Sequence, residues 1–248
     1  MHNRGAWHVH STLSRDGTMT IPELAGYFKR KGYQFLAMGE HAEDLDEAKV
    51  QVLHEQSTAN SDDQFCVISG IEFAVTRQIH IVGIGIATLI HLDSPLCVAR
   101  EIRERGGMSI LAHPKRLGWD CPGEVLRAVD AAEIWNIGYD GKYLPSAKAL
   151  PAFERMRQAN PNLLAIASHD FHRTASFYDV AIEMDAPVLS RDLILQNLKR
   201  RAYRINSAFF SCTPDGCVSA AGTALVRHIS GALDRMRKLR SSFAGRMA

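Results

Sequence analysis

The stretch from Trp7 to Gly17, WHVHSTLSRDG, sets His8 and His10 one residue apart after an apolar start and adds Asp16 a few residues on. Along an extended strand, residues two apart face the same side, so His8 and His10 are expected to grip one ion together. Comparable residues recur where other apolar runs end: His41 after FLAMGE, Glu72 at the end of CVISGIE, His113 at the end of SILAH, and Asp170 with His172 after LLAIASH. His80 differs, because it opens the run HIVGIGI instead of closing it. Imidazole and carboxylate together suit Zn²⁺, Mn²⁺ or Fe²⁺, whereas an all-oxygen set would suit Mg²⁺ or Ca²⁺. Six histidines and three carboxylates exceed the needs of one tetrahedral ion, so two or three ions are expected, with a carboxylate such as Glu72 bridging. His54, His91 and His228 stand alone and receive no role.

The elements that must carry these residues are short. AWHV, FLAM, FCVISGIEF, HIVGIGI, MSILAH, AAEIW and LLAIASH read as strands, with DVAIEM as an eighth, and helical periodicity fills most of the intervals. The repeating unit is strand then helix, which predicts a parallel sheet and, with seven or eight units, a barrel. In a parallel barrel all strand C-termini share one face, where ligands spread along the chain can meet. Thr20 and Glu23 form a capping-box pair with Pro22 in the first turn, a second helix begins near Ser190, and Gly106 with Gly107 ends the helix before MSILAH. The pattern changes near residue 207. Residues 1–206 are expected to form the barrel, and residues 207–248 a loop followed by a basic amphipathic helix. That helix has Leu225, Ile229, Ala232, Met236, Leu239 and Phe243 on one face and Arg227, Arg235, Arg237, Lys238 and Arg240 on the other. Its apolar face is expected to pack on the barrel or on a second copy of the chain, giving a homo-oligomer.

At 248 residues the chain is long enough for one sizeable core. Its 29 basic and 27 acidic residues leave a net charge of +2, too balanced for a broad nucleic-acid surface, so long nucleic acids are not expected partners. No apolar run nears the roughly 20 residues that span a bilayer, and the start MHNRGAWHVH lacks the pattern of a secretory signal, so the expected location is the cytoplasm. Five cysteines without a framework spacing are expected to be reduced thiols, with CTPDGC, Cys212 to Cys217, open between a plain turn and a metal clip.

The joint pattern resembles the PHP (polymerase and histidinol phosphatase) family, over roughly residues 7–205. Its first motif is matched by His8-Val9-His10 with Ser14-Arg15-Asp16-Gly17 and its second by Gly39-Glu40-His41. Gly70-Ile71-Glu72 stands where the family has a bridging glutamate. His80 and Ala112-His113-Pro114 match the next positions, and Ser168-His169-Asp170-Phe171-His172 the last. The likeness is to the stand-alone phosphoesterases, and AAEIWNIGYDGKY adds to it. The sequence departs from the family at Ala6 and Glu40, where aspartates are usual, and at the inserted His169, read as a substrate contact or a spacer.

The resemblance implies a distorted (β/α)7 barrel with nine metal ligands: His8, His10, Asp16, His41, Glu72, His80, His113, Asp170 and His172. It implies hydrolysis of a small phosphate ester, such as a nucleotide, sugar or amino-alcohol phosphate, by a hydroxide bridging two ions. One ion would use His8, His10, Glu72 and Asp170, a second Glu72, His80 and His113, and a third Asp16, His41 and His172. Charge on the phosphoryl oxygens calls for cationic donors, for which Arg116 and Arg173 are placed, with Lys115 and Arg15 as weaker candidates. Asp170 or His172 would protonate the leaving group. Trp119, Trp135 and Tyr139 are read as packing residues before base-stacking ones. Two rival readings remain: hydrolysis of a C–N bond, as in the related amidohydrolases, and a non-enzymatic interaction protein stabilised by metal.

Overall fold

The computed structural model describes residues 2–76, 78–230 and 232. The elements run β1 (His2–Val9), α1 (Ile21–Arg30), β2 (Phe35–Met38), β3 (Glu40–His41), α2 (Glu47–Ala59), β4 (Cys66–Ile68), β5 (Gly70–Ala74), β6 (His80–Ile84), α3 (Pro95–Glu104) and β7 (Met108–Leu111). They continue as α4 (Gly123–Ala128), β8 (Ala131–Asn136), α5 (Ala149–Ala159), β9 (Leu164–Ser168), β10 (Val180–Asp185), α6 (Arg191–Lys199), β11 (Arg204–Ser207), β12 (Ser211–Cys212) and α7 (Ala220–Leu225). The fold is mixed α/β, with two six-stranded sheets in the orders β12-β11-β10-β1-β2-β4 and β3-β5-β6-β7-β8-β9.

Local signals set several of these elements. The Thr20 N–H donates to Glu23 Oε2 at 2.8 Å, and Glu23 N–H returns a bond to Thr20 Oγ1 at 3.4 Å, closing the capping box of α1. Ile21, Leu24, Ala25 and Phe28 on that helix are buried, so its apolar stripe faces the sheets. Ser190 caps α6 through Leu193 N–H. Apolar strand residues such as Leu36, Ile71, Ile110, Ala132 and Ile166 form the core, as expected of strands covered on both faces.

Strand direction corrects the expectation of a parallel sheet. β1/β2, β2/β4, β3/β5, β7/β8 and β8/β9 are parallel, but β6 is antiparallel to both β5 and β7, and β10 to β12 extend the first sheet antiparallel to β1 and to one another. The cause lies between β5 and β6: residues 75–79 are too few for the crossover helix that a parallel connection needs, so the chain turns straight back.

The sheets meet in two places. Phe171 N–H donates to His8 O at 3.0 Å and His10 N–H to Phe171 O at 2.9 Å, joining β1 to the segment after β9. On the other side β2 runs into β3 across Gly39 and β4 into β5 across Ser69, whose carbonyl accepts from Gly85 N–H at 2.7 Å. Gly70 sits in this second junction, and a Cβ there would lie 2.2 Å from the Met38 carbonyl oxygen, a backbone atom that cannot rotate away. Gly70→Ala is therefore expected to cost about 1–3 kcal/mol. Thermal unfolding is the measurement, at roughly 2–4 °C per kcal/mol for a chain of this size.

β11 crosses residue 206, where the boundary between barrel and C-terminal segment was expected, and carries the first sheet onward. Of the expected C-terminal helix, α7 and the π-helical turn Val226–Ser230 are described; Met236, Leu239, Phe243 and most of the basic face lie outside the described residues. No helix of the described residues is long and apolar enough to cross a membrane.

Candidate metal centre

Glu72, at 2% exposure, is the residue around which the site is built. Its Oε2 lies 3.3 Å from His8 Nε2, 3.9 Å from His10 Nε2 and 3.0 Å from His41 Nδ1. Its Oε1 lies 2.9 Å from both His80 Nδ1 and His113 Nε2. The two oxygens of one carboxylate thus face two different groups of histidines. Asp170 Oδ1 stands 3.4 Å from His10 Nε2 and 3.8 Å from His8 Nε2, while Asp16 touches His41 Nε2 and His172 Nε2, each at 3.3 Å.

Three sets of ligand atoms lie within 4.8 Å of one another: His8, His10 and Glu72; Glu72, His80 and His113; and His10, His41 and His172. The structure therefore brings all nine sequence-assigned ligand candidates into one neighbourhood. In the third set His10 takes a place where only Asp16, His41 and His172 were expected.

Two details of backbone geometry achieve this. β1 has a register shift against β2 between Trp7 and Val9, and His8 adopts φ +58°. Strict alternation, the reason first given for pairing His8 with His10, is broken by this bulge; the bulge re-aims His8 while His10 projects from beyond the strand end. Asp170 (φ +47°) and His113 (φ +32°) are also left-handed, a strained backbone of the kind that concentrates at functional sites. Gly39 makes room for the imidazole of His8, since a Cβ there would meet its Cδ2 at 2.6 Å. The direction of β6 removes the anomaly of His80. An antiparallel strand begins at the end where its parallel neighbours finish, so His80 opens β6 beside Ala112 and His113.

The histidines are held in orientations that would suit metal ligands. A carboxylate only accepts hydrogen bonds, so His8 Nδ1, 2.8 Å from Glu133 Oε1, carries a proton, which leaves Nε2 as the atom a cation would use. The Ser14 hydroxyl donates to Glu40 Oε2 at 2.5 Å, leaving its lone pairs for His41 N–H at 3.0 Å and His10 Nδ1 at 3.5 Å. His172 Nδ1 donates to the Asp170 carbonyl at 3.0 Å. In each case Nε2 is buried without a hydrogen bond. Buried polar atoms are seldom left so. Ring nitrogens fixed in this way toward carboxylates are what a divalent cation requires, and the donor set fits one.

Without an ion the buried carboxylates are balanced by protons on the imidazoles, and a bound cation would take the place of the proton on His8 Nε2. Burial opposes ionisation, yet the surrounding histidines hold Glu72 well below the usual carboxyl range, and Asp170 and Glu133 are lowered too. Against the same burial, Glu72, Asp170 and Glu133 hold His8 well above its ordinary value, and Glu72 raises His41 to about 9. Burial lowers His10 to about 4.

Glu133 escaped the sequence reading although it lies in AAEIW. Its carboxylate accepts from His8 Nδ1, from His113 N–H at 2.7 Å and from Asn136 Nδ2 at 2.8 Å, and Asn136 also reaches Asp170 Oδ2 at 3.3 Å. An acidic residue inside a buried strand was the available signal. Glu133→Gln keeps the shape but removes the charge that orients His8, and is expected to weaken metal affinity by roughly 10–100-fold, as read by titration of the ion-free protein.

Arg116 and Arg173 are exposed. Arg116 Nη1 lies 3.2 Å from His80 Nε2 with its guanidinium over the Tyr139 ring, whereas Arg173 precedes a 3₁₀ turn with its side chain making no hydrogen bond or ion pair among the described residues. Lys115 ties to Asp140 and to the Tyr139 carbonyl, and Arg15 to Glu43 and Asp44. Trp119 and Trp135 are buried packing residues, while Tyr139, 42% exposed, sets its ring against His113. His169 is not a substrate contact: it is buried, its ring packed among Phe28, Tyr33 and Phe177. The five cysteines are unpaired, and none joins a candidate metal group among the described residues.

No family model matches the sequence, and no curated protein is similar to it. Solved structures are. An amidohydrolase from Chromobacterium violaceum, with bound sulfate and no metal, matches at a TM-score of 0.52 and 15% identity over 74% of this chain and 92% of that one. A two-domain protein from Bacteroides vulgatus containing a predicted PHP-like metal-dependent phosphoesterase matches at a TM-score of 0.59 and 17% identity over 86% of this chain. The match spans 66% of that protein's length. What the chain shares with both proteins is the fold.

Proposed function

We propose that the protein is a metal-dependent phosphoesterase of the PHP type acting on a small phosphate ester. The observation that carries this reading is Glu72, one carboxylate whose two oxygens face separate histidine groups, as a ligand shared by two ions must. The two joined sheets are then one distorted seven-stranded barrel, in which β2 with β3 and β4 with β5 each count as one strand, and β10 to β12 are additions. Residues 1–206 form the hydrolase unit in this reading and residues 207–248 its appendage. Five unpaired thiols suit a reducing compartment such as the cytoplasm.

His8, His10, Glu72 and Asp170 would hold one ion, Glu72, His80 and His113 a second, and Asp16, His41 and His172, with His10 beside them, a third. Zinc, manganese or iron bound there supplies Lewis-acid polarisation and a water nucleophile available near neutral pH. The chain's residues do the rest. Arg116, at His80, and Arg173, one residue beyond His172, donate to phosphoryl oxygens as negative charge builds on them. As water attacks phosphorus and the P–O bond to the leaving group breaks, Asp170 or His172 takes a proton from that water and passes it to the departing oxygen. Tyr139 and the backbone clamp from Lys115 wall the mouth beside His113.

A second reading, hydrolysis of a C–N bond, is favoured only by the fold shared with the amidohydrolase. The deciding experiment is hydrolysis of an aryl phosphate and of an aryl amide by protein supplied with Mn²⁺, Zn²⁺ or Fe²⁺, alongside elemental analysis. Metal-dependent phosphate release is the expected result. Two or three bound ions with amide cleavage and no phosphate release would overturn it.

A further inference from the structure

Away from the metal centre, a cavity of about 400 Å³ opens where β7 and β9 begin, at Met108 and Leu164, and beside Asp130 just before β8. The metal ligands His113 and Asp170 follow the opposite ends of β7 and β9. Arg103 from α3, Arg127 from α4, Lys199 from α6 and Arg201 just beyond it line the space. Its single carboxylate is already engaged: Asp130 Oδ2 accepts from both the N–H and the hydroxyl of Ser109 at 2.8 Å, and Arg103 stands 3.9 Å from its Oδ1. Arg201 bonds to Asp215 and Asn162. Arg127 and Lys199 make no hydrogen bond or ion pair among the described residues.

A basic residue in the last turn of a helix offsets the helix dipole, and that explains Arg103, Arg127 and Lys199 one at a time. It does not explain why cations from separate elements surround one concavity, where their fields add. Arg201 adopts φ +61° just after α6, and its bonds to Asp215 and Asn162 account for an arginine there, so the free cations of the cavity are Arg127 and Lys199 among the described residues. A larger cavity, about 580 Å³, is the weaker candidate because its arginines, Arg105 and Arg191, are already paired with Glu101 and Asp192.

We propose that this basal cavity is a binding site for a multiply charged phosphate anion, with Arg127 and Lys199 as its main donors and Arg103 at its rim. Guanidinium matches phosphate oxygens in a bidentate fork and the lysine ammonium adds a point charge. The site does not depend on the metal centre or on the reaction proposed for it.

The test is calorimetric titration of pyrophosphate into the full chain after chelator treatment, so that no ion competes for the probe. One site per chain is expected, weakening as salt is raised. Arg127→Ala with Lys199→Ala is expected to lower the affinity about 100-fold, roughly tenfold for each charge-assisted contact. Both side chains are exposed, so folding is not at stake, and Arg127→Lys with Lys199→Arg should keep most of the binding. An unchanged affinity in the double alanine variant, no saturable binding, or binding lost only in Arg116→Ala at the metal centre would overturn the proposal.

Discussion

Glu72→Gln is expected to lower phosphoester hydrolysis by about 10³-fold or more and to leave at least one fewer ion bound per chain. The substitution preserves size, so the buried packing around position 72 survives. It replaces one oxygen by an NH2 group that can only donate, in a place where His8, His41, His80 and His113 all lie within 3.3 Å of the carboxylate. In the proposed two-ion arrangement a shared ligand would be lost to both ions at once, which is why the effect should exceed the roughly 10–100-fold expected for the supporting residue Glu133. Elemental analysis and kinetics on the same preparation check it. Full metal content with near-normal turnover would show that Glu72 is a structural carboxylate and that the bridging assignment is wrong.

Adding Zn²⁺ or Mn²⁺ to chelator-treated protein is expected to raise the melting temperature by about 5–11 °C, and renewed chelation to reverse it. An ion at about 100 times its dissociation constant adds about 2.7 kcal/mol to the folded state, because the unfolded chain lacks the site. For a chain of this size each kcal/mol moves the transition by about 2–4 °C. Far-UV circular dichroism should change little, since the core is formed by apolar strand residues such as Leu36, Ile71, Ile110 and Ile166, which do not depend on the ions. A transition indifferent to both ions would remove the metal centre from the account of this protein.

Much of the centre was legible without coordinates, and the reason is local. Glu72, His113, Asp170 and His172 lie within or just after short apolar runs, and parallel strands deliver such residues to one end. The capping pair Thr20 and Glu23 and the N-cap Ser190 were legible for a similar reason, since helix-start signals act within three residues. Glu133 was not. Its role depends on His8, His113 and Asn136, brought to it by separate parts of the chain, and no periodicity encodes such a meeting.

By itself, then, the sequence determined the types and order of the candidate ligands and most of the strands and helices that carry them. Tertiary structure alone decided strand direction, and with it the place of His80: side chains alternate with period two whichever way a strand runs, so the pattern in HIVGIGI is silent on direction. It also decided the bulge at His8, which re-aims a ring that alternation would have placed otherwise, because a bulge forms against a neighbouring strand. The basal cluster of Arg103, Arg127, Lys199 and Arg201 belongs to the same class, since each looks like an ordinary helix-end cation until packing brings the helix ends together.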